Sequence, residues 1–483
     1  MAADSTARQP KLPNIILLMS DQHRGDALSC EGHPVVRTPA LDAVAAQGCR
    51  FTRAYTTSPL CMPARASLAT GRYNHNHGMI GNLACVINPE ERRRSVGLAL
   101  QHAGYTSAFV GKHHLLPQPA GYDMRKAAGF LKREFGFDHL VQVMGKFGSM
   151  RADCDWTAQL KELGLLDVHR DDYRERKRQP VYFAKPSPLP RDEQCDSFTG
   201  RKAIEWLASA PPQPFFLWVS FPGPHDPWDA PGEYGEMYDP ADMPLPIAWS
   251  DTLQGKPARQ RERSERGGMP ALEESDVKPM AAQYYGLVSN IDDWCGRILA
   301  ALRESGVLDN TVVIYTSDHG EMLGDHRLVN KSVFYEGSAR IPLLAADYRG
   351  PALGAVCSTP AEIIDPYRTI LALAGVEPPD GTFGKDLMPL ARGDATCGDG
   401  AAFSELGSAC MVRAGRWKYV HDPRAGGAQE LYDLEDDPEE LRNLVGDVEY
   451  RAVADEMRSR LLDWLVATDA RDLEPWEDVA ARL

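Results

Sequence analysis

Asn14-Ile15-Ile16-Leu17-Leu18-Met19-Ser20-Asp21-Gln22 decides the fold class. Its apolar run has strand length and no polar alternation, as expected of a central strand buried on both faces of a parallel sheet. It ends in a serine and an aspartate, and the carboxyl ends of such strands are where open α/β sheets place their ligands. Phe215-Phe216-Leu217-Trp218-Val219 and residues 311–316 read the same way. Helical stretches are predicted at 40–47, closed by Gly48, and at 95–103, stopped by Gly104 and followed by a strand at 106–110. Residues 283–304 repeat apolar side chains at Leu287, Ile291, Trp294, Ile298 and Leu302, the period of a long amphipathic helix. Strands separated by helices predict an α/β fold: a large mixed, mostly parallel sheet sandwiched by helices.

Two regions break this rhythm. Residues 140–195 are charge-rich and end in Lys185-Pro186-Ser187-Pro188-Leu189-Pro190, and residues 229–275 carry many prolines and the charged run 259–266. Both read as long surface excursions that could shape a binding site. After Val376-Glu377-Pro378-Pro379 the character changes to short strands at 402–405, 411–412, 417–420 and 430–434 and a final helix over 450–465. The expected organisation is therefore a catalytic unit over 1–376 and a smaller C-terminal unit of antiparallel sheet plus helix over 377–483.

The 483 residues include 53 Lys and Arg against 68 Asp and Glu, a net charge of -15 that argues against nucleic acid or an anionic membrane as partner. No apolar run approaches a membrane span, and the run after the first dozen residues is too short for a signal segment. Ten cysteines without paired spacing suit reduced thiols, so a cytoplasmic location is expected.

The chemistry-bearing residues cluster in a few places. Ser58-Pro59-Leu60-Cys61-Met62-Pro63-Ala64-Arg65-Ala66-Ser67-Leu68-Ala69-Thr70-Gly71-Arg72 reads as a loop delivering Cys61 to a helix N-terminus, with Arg65 one turn on and Gly71 as the stop. Free N–H groups and partial positive charge there suit a nucleophile and an anion. Asp21-Gln22 and Asp318-His319 each follow a buried strand; two carboxylates, an amide oxygen and an imidazole brought together would make a divalent cation site. Gly111-Lys112-His113-His114-Leu115 and Pro224-His225-Asp226-Pro227 also follow strands, and Lys331 lies in Asn330-Lys331-Ser332. Each element alone has an ordinary structural explanation, as a buried thiol, a helix cap or a basic turn.

Together they resemble one family. Cys-x-Pro-x-Arg followed by Ala-Ser-Leu-x-Thr-Gly-Arg is similar to the signature of type I sulfatases, with Ala64 where the commonest residue is Ser. The likeness extends over nearly the whole chain, through Lys112 and His114, Lys331, and Leu431-Tyr432-Asp433-Leu434 near the end. It implies that Cys61 is oxidised to formylglycine (3-oxoalanine) by a maturation enzyme and serves as the nucleophile toward a small sulfate ester. It implies one divalent cation on Asp21, Gln22, Asp318 and His319, with Cys61 beside it. Calcium is expected, with manganese and magnesium as alternatives, because Gln22 and His319 replace the Asp and Asn of many relatives. Arg65 would hold the modified side chain, Lys112 and Lys331 the sulfate oxygens, His225 the leaving group, and His114 a proton of the nucleophile. Asn82 is a further candidate substrate contact, and a homo-oligomer is left open. Two other readings stand beside this one. A phosphonate monoester or phosphodiester hydrolase of the same superfamily would share the metal set but tends to lack the residues matching Lys112 and His114. A non-catalytic binding protein on this scaffold would be free to lose some of this set.

Overall fold

The computed structural model describes residues 11–82, 86–392, 394 and 400–469. The first ten residues, and positions 470–483 of the expected C-terminal unit, lie outside the described residues. Among the described residues ten strands precede residue 370: β1 (Asn14–Asp21), β2 (Cys49–Phe51), β3 (Ala54–Tyr55), β4 (Thr106–Gly111), β5 (His139–Gln142), β6 (Phe215–Pro224), β7 (Thr311–Ser317), β8 (Leu343–Asp347), β9 (Ala355–Cys357) and β10 (Ala361–Glu362). Eight of them form one sheet in the order β5-β4-β6-β1-β7-β8-β2-β9. β1 lies parallel between β6 and β7, and only β8 runs antiparallel to its neighbours, so the sheet is mixed and mostly parallel as expected.

The β1 run is uniformly buried because its two faces meet different layers. Ile15, Leu17 and Met19 join a core that includes Phe109, Trp218 and Ile314, under the helices Cys61–Thr70, Val96–His102 and Asp365–Leu373. Ile16 and Leu18 join Val110, Val219 and Tyr315 under the helices Pro39–Gln47, Cys195–Ala208 and Glu274–Glu304. Each fully buried aliphatic side chain contributes about 1.5–3 kcal/mol of transfer free energy, which fixes the register of the central strands.

The C-terminal strands β11 (Ala401–Leu406), β12 (Ala409–Ala414), β13 (Trp417–Asp422) and β14 (Gly427–Asp433) form an antiparallel sheet. One face packs on the helix Arg451–Thr468 through Val412, Tyr419, Leu431, Leu461 and Trp464. The other meets Tyr55 and Phe334 of the main body, and the Glu405 N–H donates to the Thr57 carbonyl at 2.8 Å. This sheet therefore backs the loop that leads to Cys61.

Two expectations need correction. The charged segments are not mere surface excursions. The helices Asp155–Glu162 and Leu166–Arg176 bury Trp156, Leu160, His169 and Tyr173, and Tyr238, Met243 and Met269 of the second segment enter a core shared with Val277, Tyr284 and Val288 of the helix Glu274–Glu304. Their buried charges are neutralised locally, as Arg176 is by Asp172 at 2.6 Å. The long helix begins at Glu274, nine residues before the expected start, and carries Pro279 inside it. A proline so near the N-terminus removes only one ladder bond.

Candidate active site

Four adjacent parallel strands deliver the site. In the order β4, β6, β1, β7 their carboxyl ends carry Lys112 and His114, then His225, then Asp21 and Gln22, then Asp318 and His319. The helix Cys61–Thr70 brings Cys61 to this edge, and all ten of its residues are buried. Its first turn is capped from elsewhere, because Asn82 accepts the Met62 N–H at 3.0 Å. It ends at Gly71, whose φ of 69° and N–H donation to the Ser67 carbonyl at 2.8 Å make a left-handed stop. A Cβ at Gly71 would sit 2.4 Å from the Tyr367 ring, so both conformation and space require glycine.

The Cys61 sulfur lies 3.1 Å from His319 Nε2 and 3.9 Å from Asp21 Oδ1. His319 Nδ1 donates to the Gly320 carbonyl at 2.9 Å, which turns Nε2 toward the sulfur. Arg65 is fully buried. Its Nε donates to Asp318 Oδ2 at 2.7 Å, Nη2 to Asp21 Oδ2 at 3.0 Å, and Nη1 to the Lys112 carbonyl at 2.5 Å and to Ser220 Oγ at 2.8 Å. It braces the two carboxylates, so its reach to residue 61 runs through them. Lys112 Nζ donates to Asp21 Oδ2 at 2.5 Å. His114 lines the same cleft as Cys61, and its Nδ1 is buried with no hydrogen-bond partner among the described residues.

On the opposite side Lys331 Nζ donates to Gln22 Oε1 and, at 2.7 Å, to His225 Nε2. His225 Nδ1 donates to the Asp226 carbonyl at 2.7 Å, which leaves Nε2 as the acceptor. Gln22 has a φ of 71°, and its amide is fixed in one orientation because Nε2 donates to Glu321 Oε2 at 2.5 Å. His113 turns away to Gln142 at 3.3 Å and belongs to the interior. All the candidate residues are thus brought together, with Asn82 at the rim, exposed and holding the helix cap.

The electrostatics follow from burial and close charges. Burial pushes the Cys61 thiol up, but Lys112, Lys331 and His319 outweigh it and hold the thiol well below its ordinary value. Burial and Cys61 push Asp21 up, and Lys112, His225 and Arg65 pull it well below the usual carboxylate range. Asp318 is raised by burial and by the charge of Asp21. Burial makes His114 less basic than usual, and the charge of Lys112 adds to this.

Sequence motifs missed several members. Glu321 follows directly on Asp318-His319-Gly320, yet nothing in the spacing marked it as the partner of Gln22. Ser220 lies inside β6, one residue past the strand expected at 215–219, and no motif marks it. The outer wall of the cleft, Gly145 to Arg151, sits in the segment taken for surface. The cleft itself has a volume of about 400 Å³ and holds Cys61, Asn82, Lys112, His114 and His225 in its lining.

The model of the sulfatase family matches residues 13–376. The chain belongs to the sulfatase family. A second model, for the C-terminal region of N-sulphoglucosamine sulphohydrolase, matches residues 324–466. The arylsulfatase of Clostridium perfringens is 30% identical over 475 residues, covering 93% of this sulfatase and 94% of the relative. The multifunctional alkaline phosphatase superfamily protein PehA of Trinickia caryophylli is 31% identical over 510 residues, covering 95% and 96%. The solved phosphonate monoester hydrolase of Agrobacterium radiobacter superposes with a TM-score of 0.75 at 28% identity, covering 94% and 96%. This sulfatase is a type I member of the alkaline phosphatase superfamily and, by family, a sulfuric ester hydrolase. Among its described residues no helix is long and apolar enough to cross a membrane.

The family generally uses a metal ion and formylglycine, and the residues present fit a cation. Asp21, Cys61, Asp318 and His319 each offer one ligand atom, all within 4.8 Å of one another and all buried. Two carboxylates this close, one of them with its acidity weakened by the other, form a site where added positive charge is stabilising. The His319 lone pair and its backbone anchor are the arrangement of an oriented imidazole ligand.

Proposed function

We propose that this sulfatase hydrolyses small sulfate monoesters, with the formylglycine made from Cys61 as nucleophile and one divalent cation held by Asp21, Gln22, Asp318 and His319. When bound, the cation supplies fixed positive charge to the sulfuryl group, and the matured side chain supplies a hydroxyl in place of the thiol. Lys112 and Lys331 neutralise the sulfuryl oxygens from two sides. The proton shared between Lys331 Nζ and His225 Nε2 goes to the departing alcohol oxygen. His114, made less basic by burial, is neutral at the start and takes a proton from residue 61. Arg65 keeps the two carboxylates in register.

The observation that supports sulfate chemistry most is Lys112 and His114 lining the cleft with Cys61. The likeness to the Agrobacterium phosphonate monoester hydrolase favours a second reading, phosphonate ester cleavage, as do the amide and imidazole donors Gln22 and His319. Rates on matched aryl sulfates and aryl phosphonate monoesters separate them: a higher kcat/KM on the sulfate supports the first reading, and the reverse order overturns it.

Because residues Cys61–Thr70 are all buried, the maturation enzyme reaches Cys61 before the chain folds. Calcium as the ion, a cytoplasmic location and a unit boundary at residue 376 belong to the same proposal. All the proposed chemistry precedes that boundary.

A further inference from the structure

The outer wall of the cleft is built from residues that no motif contains: Gln118 from one loop, and Gly145, Lys146, Phe147, Gly148 and Arg151 from another. The described lining holds no Asp and no Glu, although the chain has 68 acidic residues against 53 basic ones. The cations of this lining are not equivalent. Lys112 is bound to Asp21, and Lys146 is buried against Asp229, which also accepts from the Tyr173 hydroxyl at 2.7 Å. Arg151 is exposed and has no ion pair and no side-chain hydrogen bond among the described residues. The nearest acidic side chain along the chain, Asp153, is taken by Arg170 at 2.6 Å.

The backbone of Arg151 is nevertheless held in place. Its N–H donates to the Gly148 carbonyl at 3.1 Å, and its carbonyl accepts the Gly121 N–H at 2.7 Å. The exposed side chain therefore starts from a fixed point on the wall of the cleft. Beside it Phe147 is half-buried, with Lys177 Nζ 5.2 Å from the ring centroid. A planar fork of donors matches a carboxylate or sulfate, and a phenyl wall suits a ring. A quaternary ammonium would need a carboxylate or several aromatic faces, and this lining offers one phenyl ring and no carboxylate.

Resting on the reading that a sulfate ester sits at Cys61, we infer that Arg151 selects esters whose alcohol part carries a second anionic group, a carboxylate or a further sulfate, on a ring lying against Phe147. This makes Arg151 a specificity residue on the outer wall of the cleft.

The test uses metal-loaded, matured protein and two aryl sulfates that differ only in a ring carboxylate. The ratio of kcat/KM for the carboxylated ester to that for the neutral ester is compared between wild type and Arg151→Ala, so that leaving-group reactivity cancels. The ratio should fall by about tenfold in the variant, through KM, the order expected of one charge-assisted hydrogen bond at a partly exposed site. Arg151→Lys should keep part of it. An unchanged ratio, or a kcat/KM for choline sulfate above both aryl esters, overturns the inference. If the wild type releases no sulfate from either ester, the sulfate reading fails by itself. The same ratio is then read on aryl phosphonate monoesters with and without the carboxylate, where a drop supports the role of Arg151 and no drop overturns it.

Discussion

Lys112→Met removes one charge from the site while keeping most of the side-chain volume. Lys112 is buried, and its Nζ lies 2.5 Å from Asp21 Oδ2, an oxygen that also accepts from Arg65 at 3.0 Å. The substitution thus leaves Asp21 with a partner. Breaking a buried ion pair costs about 3–5 kcal/mol when the remaining charge is stranded, and the retained guanidinium should reduce this to about 2 kcal/mol. The kinetic effect should be larger than the stability effect. One fixed charge facing the oxygens of a transferring group is worth about 2.7–4 kcal/mol in the transition state, so kcat should drop by about two to three orders of magnitude. Steady-state sulfate release from an aryl sulfate gives the rates, and a urea titration gives the stability. A variant that keeps wild-type kcat/KM on sulfates would refute the assignment of Lys112 to the sulfuryl oxygens. Loss of rate matched by loss of the folded state would refute the estimate of what Arg65 retains.

Asp318→Ala should abolish metal-dependent turnover and lower the bound metal measured by elemental analysis, whereas two closely spaced zinc ions per chain in wild type would contradict the single-cation site. The buried histidines make stability pH-dependent. Burial lowers His169 to about 3, where it packs between Trp156 and Tyr173 with Nε2 2.9 Å from Ser149 Oγ. A depressed folded pKa means that its stabilisation is complete above the unfolded value and is lost as the pH falls from about 6.5 toward 3. His169→Phe should therefore remove about 2 kcal/mol of the stability difference between pH 7 and pH 5, read from urea midpoints; an unchanged difference would show that His169 protonates while folded.

The legible part of this protein was what local pattern controls. A strand such as β1 announces itself because both faces are apolar, and it ends on Asp21, two residues past its apolar run. Asp318 was found the same way, after β7. The helix at Cys61 was marked by Pro63 inside it and by Gly71 after it. What stayed hidden depends on pairing at a distance. The charges of residues 140–195 suggested solvent, but Lys146 is neutralised by Asp229 and Arg176 by Asp172, so the segment builds a wall of the cleft. Glu321 was silent because its role is to aim the Gln22 amide, 299 residues earlier in the chain. Arg65 was expected at the nucleophile, yet its guanidinium reaches back to Asp318 and Asp21, a partnership that only the adjacency of β1 and β7 creates.

Peptide mass spectrometry of the segment around Cys61, on protein whose turnover number has been measured in the same preparation, tests the central claim most directly. The expected result is an aldehyde or its hydrate at position 61, in a fraction that rises and falls with kcat, and no turnover in Cys61→Ala with the fold intact. An unmodified thiol at Cys61 in fully active protein would contradict the proposed nucleophile.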